Sequence, residues 1–394
     1  MTETESRELS TETTPTLRIL FISSSDPFDV RSFSGVLLHM VQALKVVFPS
    51  LEVVQSSRPF WFRRFQRLVL HVSDGKIDPY YWRPLNRWFA RRLARRWHGE
   101  RVLVISAVNA ALVGELAAYV PVLNVTDSTF ELMRDYYQTF SKLDAKTAEV
   151  AEEDELHSIV RSVHNSFSSR WAAQSAIHHY GAAPENVSVI SWGCNLDYVG
   201  TDKLRSASPS DEVCRLLFIG GDWARKGGDV VCAAAEDLIG RGIPVRVDIV
   251  GSAPTSLAAR PWLNDHGFLS KADSAQFDCL RTLMRDAHFL FLPTRQDCTP
   301  MVFAEANAYG TPAVTRDVGG VADVVRHGFN GLVLPKDAAP SDFADAIEAA
   351  WRNQEEYAQL RQRARLEYEG RLNWGSWARA IEVVVKSLEL QGRL

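Results

Sequence analysis

The chain has 394 residues, a formal charge of -4 and five cysteines, a length that supports two domains each with its own core. No run approaches the ~18 apolar residues of a membrane span. The first fifteen residues, rich in Thr and Glu, lack the apolar centre of a signal peptide and are expected to be disordered. Cys194, Cys214, Cys232, Cys279 and Cys298 form no Cys-x-x-Cys pair. That usage fits reduced thiols in a cytoplasmic protein rather than a disulfide framework.

In chain order, residues 17–23 (LRILFIS) read as a first strand, followed by a polar loop and a helix from about Gly35 with Val36, Leu37, Met40, Val41 and Leu44 at helical spacing. A strand, a Ser-Phe-Ser-Gly turn and a helix can receive a phosphate, although no full glycine fingerprint is present. Residues 58–101 then carry twelve cations against Asp74, Asp78 and Glu100. Leu85, Trp88, Phe89, Leu93 and Trp97 recur there at helical spacing among arginines. Such a helix either lies on an anionic membrane surface or packs its aromatics inward and solvates its arginines. No nucleic-acid-binding module accompanies the charge.

Residues 102–106 and 121–125 read as further strands, the second followed by Thr126-Asp127-Ser128-Thr129-Phe130. On its own, Asp127 reads as a helix cap. Residues 159–163 are expected to form a short strand, 168–180 a helix and 187–192 another strand. A polar, Ser- and Asp-containing linker spans 196–212. The second half opens with an apolar strand at 214–220, then GGDWARKGG and a helix. Arg225 and Lys226, adjacent cations at the carboxyl end of a strand, suit a pyrophosphate; both sit in a turn, so their loss is expected to leave folding intact. A further strand follows at 245–251.

Residues 288–320 concentrate the chemistry: an apolar strand to Thr294, a polar loop, and a helix from Met301 to a stop at Gly310. Asp297 and Glu305 bracket the opening of that helix at the carboxyl end of a sheet, where open α/β sheets collect ligands. Paired carboxylates suit a ligand rich in hydroxyls. The alternative is a capping role for Asp297 or Thr299 and a solvated Glu305.

The run Asp297, Glu305-Ala306, Gly310-x-Pro312, Gly319-Gly320 resembles the signature of retaining glycosyltransferase family 4. The match departs at Asp297, where Glu is commoner, at Pro300, where many members have Gly, and at Asp323, where Glu is common. The resemblance implies the GT-B architecture: two doubly wound, Rossmann-like α/β domains facing across a cleft. The first would span 16–195, rejoined by a crossing helix in 374–394, and the second 213–373. It also implies roles. Asp297 would hold sugar hydroxyls and Glu305 the donor ribose, with Thr299, Met301 and Val302 beside them. Lys226 matches the family lysine on the donor diphosphate. The family arginine falls at about Gly221, which leaves Arg225 to take that part. Ser34 and Gly35 would face the pyrophosphate, the backbone near Leu269 the base, and Asp127 the sugar and acceptor.

The implied reaction moves a sugar from a UDP- or GDP-linked donor to a hydroxyl acceptor, in glycan, polysaccharide or glycolipid synthesis, with retention at the anomeric carbon. No Asp-x-Asp occurs, so protein cations rather than a metal are expected at the diphosphate, and no cofactor beyond the donor. A sugar-nucleotide epimerase or an inactive sugar-nucleotide-binding member would share the cleft. The arginine-rich stretch adds the expectation of peripheral contact with an anionic membrane or a lipid-linked acceptor.

Overall fold

The structure is a computed structural model that describes residues 16–30, 32–54, 60–134, 136–196, 199–200, 212–255, 257 and 260–394. The expected tail at 1–15, most of the linker and Arg58 lie outside the described residues.

Two six-stranded sheets organise the described residues. The first holds β1 (Arg18–Ser23), β2 (Glu52–Val53), β3 (Val102–Ala107), β4 (Val122–Thr126), β5 (His164–Phe167) and β6 (Val187–Val189). Its order is β2-β1-β3-β4-β5-β6. The second holds β7 (Cys214–Gly220), β8 (Val245–Gly251), β9 (Leu263–Asp265), β10 (Phe289–Leu292), β11 (Ala313–Arg316) and β12 (Gly331–Leu334). Its order is β12-β11-β10-β7-β8-β9. Every pairing is parallel. Parallel strands need helical crossovers, which cover both faces and make the inner strands apolar throughout; β3 and β10 are accordingly buried along their whole length.

The helices of the first half are α1 (Val36–Val47), α2 (Phe60–Val72), α3 (Arg83–Arg96), α4 (Ala110–Leu116), α5 (Phe130–Arg134), α6 (Gln138–Ser141), α7 (Ala145–Arg161) and α8 (Arg170–His178). Those of the second are α9 (Trp223–Lys226), α10 (Gly228–Gly240), α11 (Ser274–Asp286), α12 (Met301–Ala308), α13 (Val321–Val324), α14 (Pro340–Arg352), α15 (Gln354–Gly370) and α16 (Trp374–Leu390). With both sheets so wound, the expected fold class holds.

The last helix belongs to the first domain. Trp377, Ile381 and Val385 of α16 are buried with Leu37, Met40 and Val41 of α1 in one core. Asn373 starts that helix by accepting from Ser376 N–H at 2.8 Å. The chain leaves and re-enters this domain at one point: Cys194 N–H donates to Leu372 C=O at 3.0 Å. A Cβ at Gly193 would overlap the Trp374 backbone there.

One expectation needs correction. Residues 159–161 end α7, which Asp144 caps by accepting from Thr147 N–H at 2.7 Å, and the strand comes after them as β5. Its sequence His-Asn-Ser-Phe is polar yet buried. The polar groups are paired inside: Asn124 donates to Asn165 at 3.1 Å, and Asn165 donates to the Ile159 carbonyl at 2.9 Å. A buried polar strand gives no apolar signal, so the neighbouring apolar residues attracted the assignment. The arginine-rich helix α3, for its part, buries Phe89 and Leu93, and Trp97 just beyond it is buried too. Trp88 alone of that aromatic set is exposed, under Arg92.

Candidate functional site

The loops after β7 and β10 meet at the carboxyl end of the second sheet. Arg295 N–H donates to Arg225 C=O at 2.8 Å, and Thr294 hydroxyl donates to Gln296 C=O at 3.1 Å. Gly227 makes this approach feasible, because a Cβ there would overlap the Pro293 carbonyl and its φ is +80°. Lys226 is thereby brought onto Asp297, with which it forms a nearly buried ion pair. Arg225 lies 3.9 Å from the same carboxylate, donates to Gln296 C=O at 2.8 Å, and stacks on Tyr137 at 5.5 Å.

Neither Asp297 nor Thr299 caps the following helix. α12 begins behind Pro300 with no side-chain cap, so its first amides remain oriented toward the opening. Thr299 instead pairs its hydroxyl with Ser168 of the first domain at 2.6 Å. Asp297 N–H donates to the Tyr136 hydroxyl at 3.1 Å. A Cβ at Gly319 would overlap the Asp297 carbonyl and come 2.8 Å from that hydroxyl, which accounts for glycine at this position of the motif.

Glu305 is buried one turn into α12 and is ion-paired with Lys271. Lys271 also donates to Asn195 C=O at 3.4 Å. Asn195 reaches further: its amide donates to Ser34 C=O at 2.9 Å, and its side-chain oxygen accepts from Trp374 Nε1 at 2.9 Å. One buried asparagine thus ties the first-domain turn, the returning helix and the Glu305 pair together.

That first-domain turn is conformationally unusual. Phe33 (φ 48°), Ser34 (φ 55°) and Gly35 (φ 86°) are all left-handed, in a single turn leading into α1. Two non-glycine residues in this region store strain of the kind that gathers at ligand-contacting sites. From β4 comes Asp127, half-buried. Burial raises its carboxyl to about 6, with the Asp297 charge adding to the effect. Burial likewise pushes the Tyr136 hydroxyl up to about 12, raises Tyr137 further and raises the Cys298 thiol to about 12.

The structure therefore brings Arg225 and Lys226 onto Asp297, sets Asp127 close enough to feel the Asp297 charge, and holds Glu305 on Lys271 within the helix that follows. Gly221 is an exposed position in the turn after β7 with open space about it, and Leu269 is half-buried against the second core. Val302 packs on that same core, whereas Met301 packs on the core of the first domain. Sequence reasoning did not assign Tyr136, Tyr137, Lys271 or Asn195. Lys271 lies two residues beyond Leu269, near which base contact was expected, so only its reach to Glu305 was hidden; the tyrosines had no motif to mark them. The arrangement offers three cations to an anionic ligand and two buried carboxylates to hydroxyls.

Residues 214–353 match the family model described as Glycosyl transferases group 1. The chain is similar to a D-inositol 3-phosphate glycosyltransferase of Rhodococcus erythropolis, 30% identical over 190 residues, covering 44% of this chain and 42% of that one. It is also similar to D-inositol 3-phosphate glycosyltransferase 2 of Catenulispora acidiphila, 31% identical over 236 residues, covering 55% and 54%. The chain thus spans about half the length of the relatives it matches. Among solved structures it resembles sucrose-phosphate synthase from Thermosynechococcus elongatus (TM-score 0.67, 14% identity, 95% of this chain and 100% of that one). It also resembles Anabaena HepE in complex with UDP (TM-score 0.63, 17% identity, 94% and 100%). Residues 214–353 are a group 1 glycosyltransferase domain, set in a chain with the two-domain GT-B fold.

Proposed function

We propose that the chain transfers a sugar from a nucleotide diphosphate sugar, UDP- or GDP-linked, to a hydroxyl acceptor with retention at the anomeric carbon. The observation that carries this reading is the convergence of Lys226, Arg225 and Asp297 beside Lys271 and Glu305 at the carboxyl end of the second sheet. Lys226 and Arg225 exchange Asp297 for the donor diphosphate and stabilise the charge that develops as it leaves, the main electrostatic contribution. Asp297 then holds sugar hydroxyls, and Glu305 the ribose. With these cations in place the reading needs no metal.

Asp127, ionised above pH about 6, orients the acceptor hydroxyl and offers negative charge to the anomeric carbon. The acceptor oxygen bonds to that carbon on the face from which the diphosphate departs, and its proton passes to the departing phosphate oxygen. The names of the relatives, D-inositol 3-phosphate glycosyltransferases, support a hydroxyl acceptor, and the UDP held by HepE supports a uridine donor.

Incubation with a panel of nucleotide-sugars, with and without acceptor, tests the reading. Glycoside with free nucleoside diphosphate is expected. An isomerised donor would mean an epimerase, and an unchanged donor a binding protein; either overturns it.

A further inference from the structure

The helix α2 has two apolar faces, and among the described residues the second is largely exposed. Its inner side seats Phe62, which is buried, and Gln66, which donates to Asp78 at 2.8 Å. Trp61, Phe65, Leu68 and Val72 follow one another at spacings of four, three and four, so they share a second stripe. Leu68 is 60% exposed and Val72 77%. Trp61 is exposed as well, and Phe65 stacks at 6.0 Å on the exposed Trp82. A groove of about 320 Å3, lined by Phe65, Val69, Ile77 and Trp82 among others, continues this surface. Contiguous exposed apolar area of this kind marks an interaction site.

The charge beside it selects the partner. Arg64 and Arg67 are exposed on the same helix, on the water-facing arc that flanks the stripe. A second copy meeting this face across a two-fold axis would set its own arginines beside these, which disfavours a dimer. An anionic bilayer satisfies both features, taking the apolar residues at the headgroup boundary and the guanidinium groups on its phosphates. Position agrees. The segment after α2 packs Tyr81 on Phe130 at 6.0 Å, and Phe130 opens α5 three residues beyond Asp127. The segment after α2 therefore packs on the element that follows the Asp127 loop.

We infer that α2, rather than the more arginine-rich α3, lays its outer stripe in an anionic bilayer, and that the acceptor is a lipid of that bilayer. The second half rests on the glycosyl-transfer reading; the first does not.

Sedimentation of the full chain with phosphatidylcholine vesicles, with and without phosphatidylglycerol, tests the docking. Binding is expected only with phosphatidylglycerol, and it should be lost in ~1 M salt, where the Debye length is about 3 Å. Arg64→Glu and Arg67→Glu should each lower partitioning about 5-fold or more, given roughly 1 kcal/mol for each cation near such a surface. Leu68→Glu should do the same without lowering the melting temperature, because Leu68 is outside the core. Failure of the parent to sediment, or a Leu68→Glu variant that binds like the parent, overturns the docking. So does a dimer in solution that Leu68→Glu dissociates. For the acceptor, label from the donor panel should enter products extracted into organic solvent when membrane lipids are supplied. Label confined to water-soluble products overturns that half. Nucleoside-diphosphate binding in vesicle-free buffer is independent of both, and its absence sinks the glycosyl-transfer reading while leaving the docking result intact.

Discussion

Lys226 and Asp297, 71 residues apart in the chain, are ion-paired with little of either side chain reaching solvent. The cation proposed for the diphosphate and the carboxylate proposed for the sugar are therefore each other's partner. Removing one strands the other, which for buried pairs costs about 3–5 kcal/mol. Lys226→Ala is thus expected to destabilise the fold by about 2–3 kcal/mol, taking the lower side because some solvent reaches the pair. It should also lower turnover about 10²-fold or more. This corrects the expectation that a residue in a turn is dispensable for folding. Lys226→Ala combined with Asp297→Asn should recover part of the stability and none of the activity. Urea unfolding and donor turnover measure the two separately, and an additive double variant would show that the residues do not interact.

A second prediction concerns pH. The Asp127 carboxyl is held at about 6 by burial, with Asp297 adding to it, so the acid is favoured at low pH and the carboxylate above about 6. If the ionised form assists transfer, kcat/KM rises as pH passes upward through that value. Asp127→Asn should remove this limb and lower the plateau about 10²-fold. A variant retaining the same limb would assign it to another group.

The parts of this protein legible in the sequence were those with a local signature. Apolar runs for parallel strands, glycines at tight approaches and the spacing from Asp297 to Gly320 were all readable because each is set by its near neighbours. Long-range pairing was not. Nothing near Lys271 marks its reach to Glu305, and Asn195 reads as the unremarkable last residue before a linker until Ser34 and Trp374 close on it. The α2 stripe was overlooked for a related reason. Two interleaved apolar faces on one helix blur the period that a single face would display, whereas α3, with a clean pattern, drew attention and turned out to be packed inward.

The Glu305–Lys271 pair gives a third prediction. Glu305→Ala should weaken nucleoside-diphosphate binding about 10- to 100-fold, the loss of a charged hydrogen bond of roughly 1.5–3 kcal/mol. Lys271→Met leaves the buried Glu305 carboxylate unpaired, and it should lower stability as well as affinity. Calorimetric titration with UDP and GDP reads the affinity. Tight binding retained in Glu305→Ala would remove the ribose assignment.

The last prediction concerns Glu155 on α7, a buried residue that the mechanism does not use. Burial, with Glu152 and Asp154 nearby, raises its carboxyl from 4.5 to about 8, although the Phe130 amide opposes the shift. Below about 4.5 both folded and unfolded chains hold the proton, and this residue makes no difference. Between 4.5 and about 8 the unfolded chain releases a proton that the folded chain keeps. Stability therefore falls as pH rises through that window and levels off above it. At pH 7 the loss is about 3 kcal/mol, from 1.36 kcal/mol per pH unit. Asp154, raised to about 6 because burial outweighs Arg83, acts in the same direction, so the contribution of Glu155 must be isolated by substitution. Glu155→Gln keeps the shape and a donor but cannot ionise. It should match the parent near pH 4 and exceed it by about 3 kcal/mol near pH 7 in urea unfolding. A constant difference between the two chains across that range would mean that Glu155 is not protonated in the folded protein.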